Sequence, residues 1–381
     1  MSRKTSRSLL PENAGLDAAF LGRSLLDWFA AHRRDLPWRR TYDPYHVLVS
    51  EIMLQQTQMD RAVAYFERWI ERFPDAGSLA RASEDEVLRL WEGLGYYNRA
   101  RSLLATAREL VRLHGGLVPE DAQALRALPG IGPYTAGAVL SVAFNRSEPA
   151  VDANVERVLA RLTNLELPPS DTRAKEFLRR TAQALIPPGR ARDFNQALME
   201  LGALVCLPRT PRCGECPWRE ACVAHGLGLA GERPVAKPAK EIFRVNMASG
   251  LLLRGGRIYI QKRRPGDVWP GLWEFPGGVL EAGETPDQAL VREFAEETDL
   301  AVRPLAPATV VRYSYTRYRV TLHAFYCAAE DAVAEPALHE AVEGRFVRPG
   351  ELAEFAFPAG HRRVIAFMLQ DLRFKNYLAD S

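Results

Sequence analysis

A glutamate, Glu51, stands in an otherwise apolar helical run from Val47 to Leu54. Partial burial there raises a carboxyl's pKa and keeps it protonated, so it can serve as a general acid. A second carboxylate, Asp152, opens a later helical run. An acid with a raised pKa and an ionised partner form the pair used in glycoside cleavage. One protonates the leaving group and the other faces the positively charged sugar. Singly, each has a plainer reading: a carboxylate on a solvated face, and a helix N-cap.

Cysteines supply a second chemistry. Cys206, Cys213, Cys216 and Cys222 follow the spacing Cys-x6-Cys-x2-Cys-x5-Cys. Four thiolates on one short loop can hold one metal centre. Zinc more often uses two separated pairs, and an iron–sulfur cluster also takes four cysteines. A disulfide set does not suit a reducing compartment. The fifth, Cys327, lies in an apolar stretch and reads as core.

Two further patterns bind phosphate on physical grounds. Leu128-Pro129-Gly130-Ile131-Gly132 joins two helical runs. Its glycines allow a tight turn that exposes backbone amides at a helix N-terminus, where a phosphate is stabilised. An ordinary helix–turn–helix connection is the alternative. Near the other end of the chain, Glu293, Glu296 and Glu297 fall about one turn apart on one helix. Hard carboxylate oxygens suit Mg²⁺ on a diphosphate; a solvated, ion-paired helix face is the alternative.

The elements that must position these groups divide the chain. At 381 residues, two domains are the default. Residues 1–16 read as a loose tail without the apolar core of a secretion signal. Residues 17–225 read as helix after helix, with periods over 60–72, 84–92, 99–113, 133–144, 152–163, 173–185 and 193–204. Residues 226–241, rich in Gly, Pro and Lys, read as a linker. Residues 242–381 turn to strands at 245–253, 258–262, 309–316 and 318–328, with a helix near 286–298. The expected architecture is multidomain: an all-α domain followed by an α+β domain. A net charge of +3 permits nucleic-acid binding without arguing for it. No apolar run is long enough for a membrane span, so a cytoplasmic (nucleoid-associated) protein is expected; a monomer is expected as well.

Ser50-Glu51-Ile52-Met53-Leu54-Gln55-Gln56-Thr57-Gln58, the Leu128–Gly132 hairpin, Val151-Asp152-Ala153-Asn154-Val155-Glu156-Arg157 and the cysteine loop together resemble the MutY adenine DNA glycosylases of the endonuclease III, helix–hairpin–helix superfamily. The resemblance covers about residues 20–225. It implies removal of adenine paired with 8-oxoguanine or guanine in double-stranded DNA, and a 4Fe–4S cluster on the four cysteines. It assigns Glu51 as the acid that protonates adenine and Asp152 as the group that stabilises the sugar cation. Tyr134 falls where endonuclease III carries a nucleophilic lysine. Tyrosine forms no Schiff base, which implies base removal without strand cutting. The same resemblance places Gln56 and Tyr96 as wedges in the base stack and Gly130 and Gly132 on the DNA backbone. It puts Trp38, Arg39 and Gln196 around the extruded adenine, and Asn154 near Asp152. Glu200 is left as structural.

Gly278-x5-Glu284-x7-Arg292-Glu293-x2-Glu296-Glu297 resembles the Nudix box of MutT, with Asp299 where the box usually has Gly. This implies a MutT-like domain that reads the oxidised guanine. Tyr315, Thr316 and Arg317 stand where the family carries Phe-Ser-His on the lesion-reading hairpin. A near-complete box keeps a second reading open, in which Mg²⁺ on Glu293, Glu296 and Glu297 supports hydrolysis of oxidised nucleoside triphosphates. A lesion-binding protein without catalysis is the third reading.

Overall fold

The computed structural model describes residues 15–236 and 241–379. Most of the expected N-terminal tail lies outside these residues. Among them, 15–81 and 102–236 form one compact unit, and 82–101 with 241–379 form a second.

The first unit is helical. Pro44–Leu54 starts at Asp43, whose carboxylate accepts from the Tyr45 and His46 amides, with Pro44 in the first turn. Ala153–Leu162 is capped by Asp152 in the same way. The core forms where apolar stripes meet: Leu21, Leu25 and Phe29 of Ala18–His32 cluster with Val155 and Leu159 of Ala153–Leu162 and with Leu198 and Leu201 of Ala191–Leu204. Burying each such side chain contributes about 1.5–3 kcal/mol. Gly202 lets the last two helices touch, because a Cβ there would lie 2.5 Å from that of Asn154.

The second unit is built on a sheet with order β3-β2-β1-β5-β4, in which β6 also pairs with β2. Its strands are β1 Phe243–Arg254, β2 Arg257–Arg263, β3 Trp273–Glu274, β4 Val302–Tyr315, β5 Tyr318–Ala329 and β6 Ala341–Val347. The β1–β5 pair is parallel and the other pairs are antiparallel. The second half of β1 is buried throughout, as expected of a strand covered on both faces. One covering layer is the Pro286–Thr298 helix, whose Leu290 and Phe294 pack with Cys327. Cys327 is a core residue, as its surroundings in the sequence suggest.

The chain order departs from the expected division in one place. Residues 82–101, helical in period and placed by sequence in the first domain, cluster with the second unit. Charged and polar contacts hold them there: Lys262 to Asp85 at 2.7 Å, Arg362 to Glu92 at 2.8 Å, and the Tyr97 hydroxyl to the Phe357 carbonyl at 3.3 Å. The expected linker also carries a short 3-10 helix, Ala230–Glu232, and a four-residue helix, Val223–Gly226, runs up to its start. Its Arg233 carbonyl is held by Arg161 at 2.8 Å. No helix among the described residues is long and apolar enough to cross a membrane.

Candidate active site

Glu51 is 5% exposed, in a helix whose residues from Val47 to Met53 are all buried. Burial first, and then the negative charge of Asp152, push its carboxyl up to about 7. The Tyr134 hydroxyl donates to Glu51 Oε2 at 2.6 Å. Tyr134 belongs to Pro133–Val142, whose start is set by the hairpin: Gly130 has φ 73, a conformation that strains other residues, and Pro133 sits in the first turn. Burial, and then the Glu51 charge, hold the Tyr134 phenol well above its usual pKa, so it stays a donor.

Asp152 does two jobs with two oxygens. Oδ1 caps its helix through the Val155 amide at 2.7 Å, and Oδ2 accepts from Asn154 at 2.9 Å. Burial raises its pKa, against the pull of these hydrogen bonds. Glu51, Tyr134, Asp152 and Asn154 line one cavity of about 700 Å³, together with Trp38, Arg39, Gln56 and Gln196. Every residue that sequence reasoning placed at the extruded base is therefore found together. Gln56 has φ 56 just beyond its helix end, which turns the chain at the cavity mouth.

Glu200 belongs here too, where the sequence reading leaves it structural. It is 1% exposed, lines the same cavity, and accepts from Arg34 at 2.8 and 2.9 Å and from Arg39 at 3.2 Å. Against the burial that pushes it up, the two guanidiniums bring its carboxyl down to about 2. Arg39 in turn donates to Gln196 at 2.8 Å. Glu200 thus orients the pocket's arginine and amide. Nothing local to Glu200 signals this, since Arg34 lies far away in sequence.

A hydrogen-bonded chain runs from Asp152 to the cysteine loop. Asn154 Oδ1 accepts from Arg157 at 2.8 Å, and the same guanidinium donates to the Cys206 carbonyl at 2.8 Å. Arg161 donates to Cys206 Sγ at 3.3 Å and to the Leu207 and Pro208 carbonyls. Arg157→Gln breaks this link at a nearly buried point. Its single-turnover base release is expected to fall about tenfold or more, as when an outer-shell support is lost, with DNA affinity little changed. Wild-type release from this variant would show that Asn154 and Asp152 do not depend on it.

The four cysteines line one pocket beside buried Trp218, and none forms a disulfide. No three His, Cys, Asp or Glu side chains among the described residues gather tightly enough to share a single ion.

The remaining site residues lie in the second unit. Tyr96, Tyr315 and Thr316 line a smaller cavity of about 190 Å³. Arg317 is absent from its walls and instead lies over the Phe243 and Tyr318 rings. In the Pro286–Thr298 helix, Arg292 donates to Glu293 at 3.0 Å and Glu296 at 2.9 Å, and also binds Glu284. Glu297 points inward and accepts from Gln261 and the Gly277 amide, both at 3.0 Å. Burial, then Glu274, push Glu297 up to about 8. The three acids are thus engaged separately. Asp299 ends the helix at φ 57, the conformation for which the box usually keeps Gly, and pairs with His339 at 2.8 Å.

Comparison with known proteins agrees with both halves. Residues 49–184 match the HhH-GPD superfamily base excision DNA repair proteins, and residues 248–367 match the NUDIX domain. The chain is 35% identical over 368 residues to the adenine DNA glycosylase of Rattus norvegicus, covering 82% of this chain and 71% of the relative. It is 46% identical over 216 residues to that of Homo sapiens, covering 54% and 39% respectively. Among solved structures, a thermostable thymine-DNA glycosylase is similar with TM-score 0.51 and 31% identity, over 55% of this chain and 97% of that one. With the carboxyl groups of Glu51 and Asp152 in one cavity of a helical repair domain, and a NUDIX domain following in the sequence, this chain belongs to the adenine DNA glycosylases, hydrolases of base excision repair.

Proposed function

We propose that this protein removes adenine lying opposite 8-oxoguanine, or guanine, in double-stranded DNA by hydrolysing the base–sugar bond without cutting the strand. The observation that carries this reading is the 2.6 Å Tyr134–Glu51 hydrogen bond in a cavity that Asp152 also lines. The bond to be broken is inaccessible inside a duplex, so the adenine must swing out. Trp38, Arg39 and Gln196 receive it. Glu51, protonated near neutrality, gives its proton to a ring nitrogen, and the electrons of the C1′–N9 bond leave with the base. The sugar becomes a cation, which the Asp152 carboxylate stabilises. Water adds to C1′ and gives a proton back to Glu51. Adenine and an abasic site result.

We assign the cysteine loop to a 4Fe–4S cluster. Cys206, Cys213, Cys216 and Cys222, which line one pocket, would hold it through their thiolates. It would supply a covalent tie within the loop that Arg157 and Arg161 bind to the Ala153–Leu162 helix. We assign the second unit to reading the opposing oxidised base, with Tyr96, Tyr315 and Thr316 at the reading pocket. Mg²⁺ chemistry is not assigned to Glu293, Glu296 and Glu297, because Arg292 and Gln261 already engage them.

The test is a panel of duplexes varying both the target base and its opposite, scored for base loss and for nicking. Adenine loss opposite 8-oxoguanine is expected to be fastest, and strands are expected to stay intact until alkali is added. No covalent adduct is expected with borohydride, since Tyr134 offers no amine. A trapped adduct, or release of a different base, would overturn the proposal.

A further inference from the structure

We infer that Trp269 is a specificity-determining residue whose indole closes the pocket for the oxidised purine and sets the preference for that base over guanine. The inference rests on the assignment of that pocket made above. Eight non-glycine residues among those described have positive φ. Three of them, Tyr96 at 49°, Trp269 at 61° and Thr316 at 49°, line this one small cavity. Bulky and β-branched side chains adopt that conformation at a cost, and it persists only where the surroundings impose it.

The surroundings of Trp269 do impose it. The carbonyls of three consecutive residues are each held. Arg263 donates to Val268 O at 2.7 Å, the Leu272 amide donates to Trp269 O at 3.3 Å, and the Arg101 guanidinium donates to Pro270 O. Arg101 is itself fixed by Glu84 at 2.7 Å. The indole meets the Tyr315 ring edge-on, with centroids 4.8 Å apart and planes at 66°. Tyr96 stands 6.5 Å from Tyr315 on another side. Arg99 fixes the Tyr96 turn by donating to the Leu94 and Gly95 carbonyls and lying over the Trp91 and Tyr96 rings.

Rings at such angles leave flat faces for one planar guest. Thr316, whose side chain carries a hydroxyl, lines the same cavity. The pocket therefore fits a single oxidised purine ring, stacked on an aromatic face and touched by a hydroxyl. Gly would fit this backbone without strain, so the indole is held over the cavity at a conformational cost.

The test compares Trp269→Gly, Trp269→Phe and Tyr315→Ala in the full chain, measuring single-turnover adenine release opposite 8-oxoguanine and opposite guanine. Trp269→Gly relieves the backbone but gives up the indole's packing on Tyr315, so its melting temperature is recorded beside that of Trp269→Phe, which keeps a ring at the same position. The preference of Trp269→Gly for the oxidised partner is expected to fall about tenfold, the loss of one stacking face, with release opposite guanine little changed. Trp269→Phe keeps a ring and is expected to retain most of the preference. If Tyr315→Ala loses the preference while Trp269→Gly keeps it, the role of Trp269 is wrong and the pocket assignment stands. If neither variant alters it, the pocket assignment itself falls. Equal loss in Trp269→Phe and Trp269→Gly would also remove stacking as the cause.

Discussion

Glu51→Gln is expected to release adenine about 10²–10⁴-fold more slowly than the wild type, the usual contribution of a positioned general acid, and to be harder to unfold in alkali. The two effects share one origin. The folded Glu51 carboxyl titrates at about 7, raised by burial and then by Asp152. A raised folded-state pKa contributes stability that is fully present below the unfolded value and lost as pH rises through the folded one. The size of the shift makes that loss about 3 kcal/mol. Gln cannot ionise, and it still accepts from Tyr134, so it escapes the loss. Urea unfolding below about pH 4.5 and above about pH 8, run beside single-turnover release, reads both consequences. Wild-type release should itself decline as pH rises through about 7, as the acid loses its proton. On the acid side it should decline as Asp152 gains one. Undiminished release by Glu51→Gln would remove Glu51 from the chemistry.

The second large effect belongs to Asp152→Asn. If Asp152 were only a helix cap, Asn would replace it at little cost, because Asn caps as well as Asp. Its carbonyl can still accept from the Val155 amide, so the cap is kept, while the new NH2 meets the Asn154 donor and stability should fall by about 1–3 kcal/mol. The countercharge is gone, however. Base release is expected to fall about 10²–10³-fold, the scale on which a preorganised electrostatic contact to a transition state operates. Melting temperature and release rate measured on one preparation separate the two roles. A variant that keeps its rate would leave Asp152 as a cap and no more.

These two carboxylates were legible because their signals are local. Glu51 interrupts an apolar helix, and Asp152 precedes a helix at a fixed interval after the hairpin. The cysteine loop is legible for the same reason. Glu200 was not. It sits in Ala191–Leu204, and its partner Arg34 comes from a distant segment, so only the fold reveals that a buried carboxylate orients Arg39 and Gln196. Strand β6 was missed because Glu343, Gly344 and Arg345 interrupt its apolar alternation. Trp269 gave no sign in the linear order, since neither its left-handed backbone nor its neighbour Tyr315 can be seen there. Arg317 was grouped with Tyr315 and Thr316 through the resemblance to the lesion-reading hairpin, and its guanidinium lies over the Phe243 ring.

The assignment of residues 82–101 to the second unit has a practical consequence. The polypeptide visits that unit twice, so a protease that cuts near the linker severs only one of its covalent ties. A fragment ending at 236 would keep Asp85, Glu92 and Tyr97 but forfeit Lys262, Arg362 and Phe357, leaving a borrowed stretch of chain without its host. Transplanting the C-terminal half between relatives therefore calls for moving 82–101 along with it.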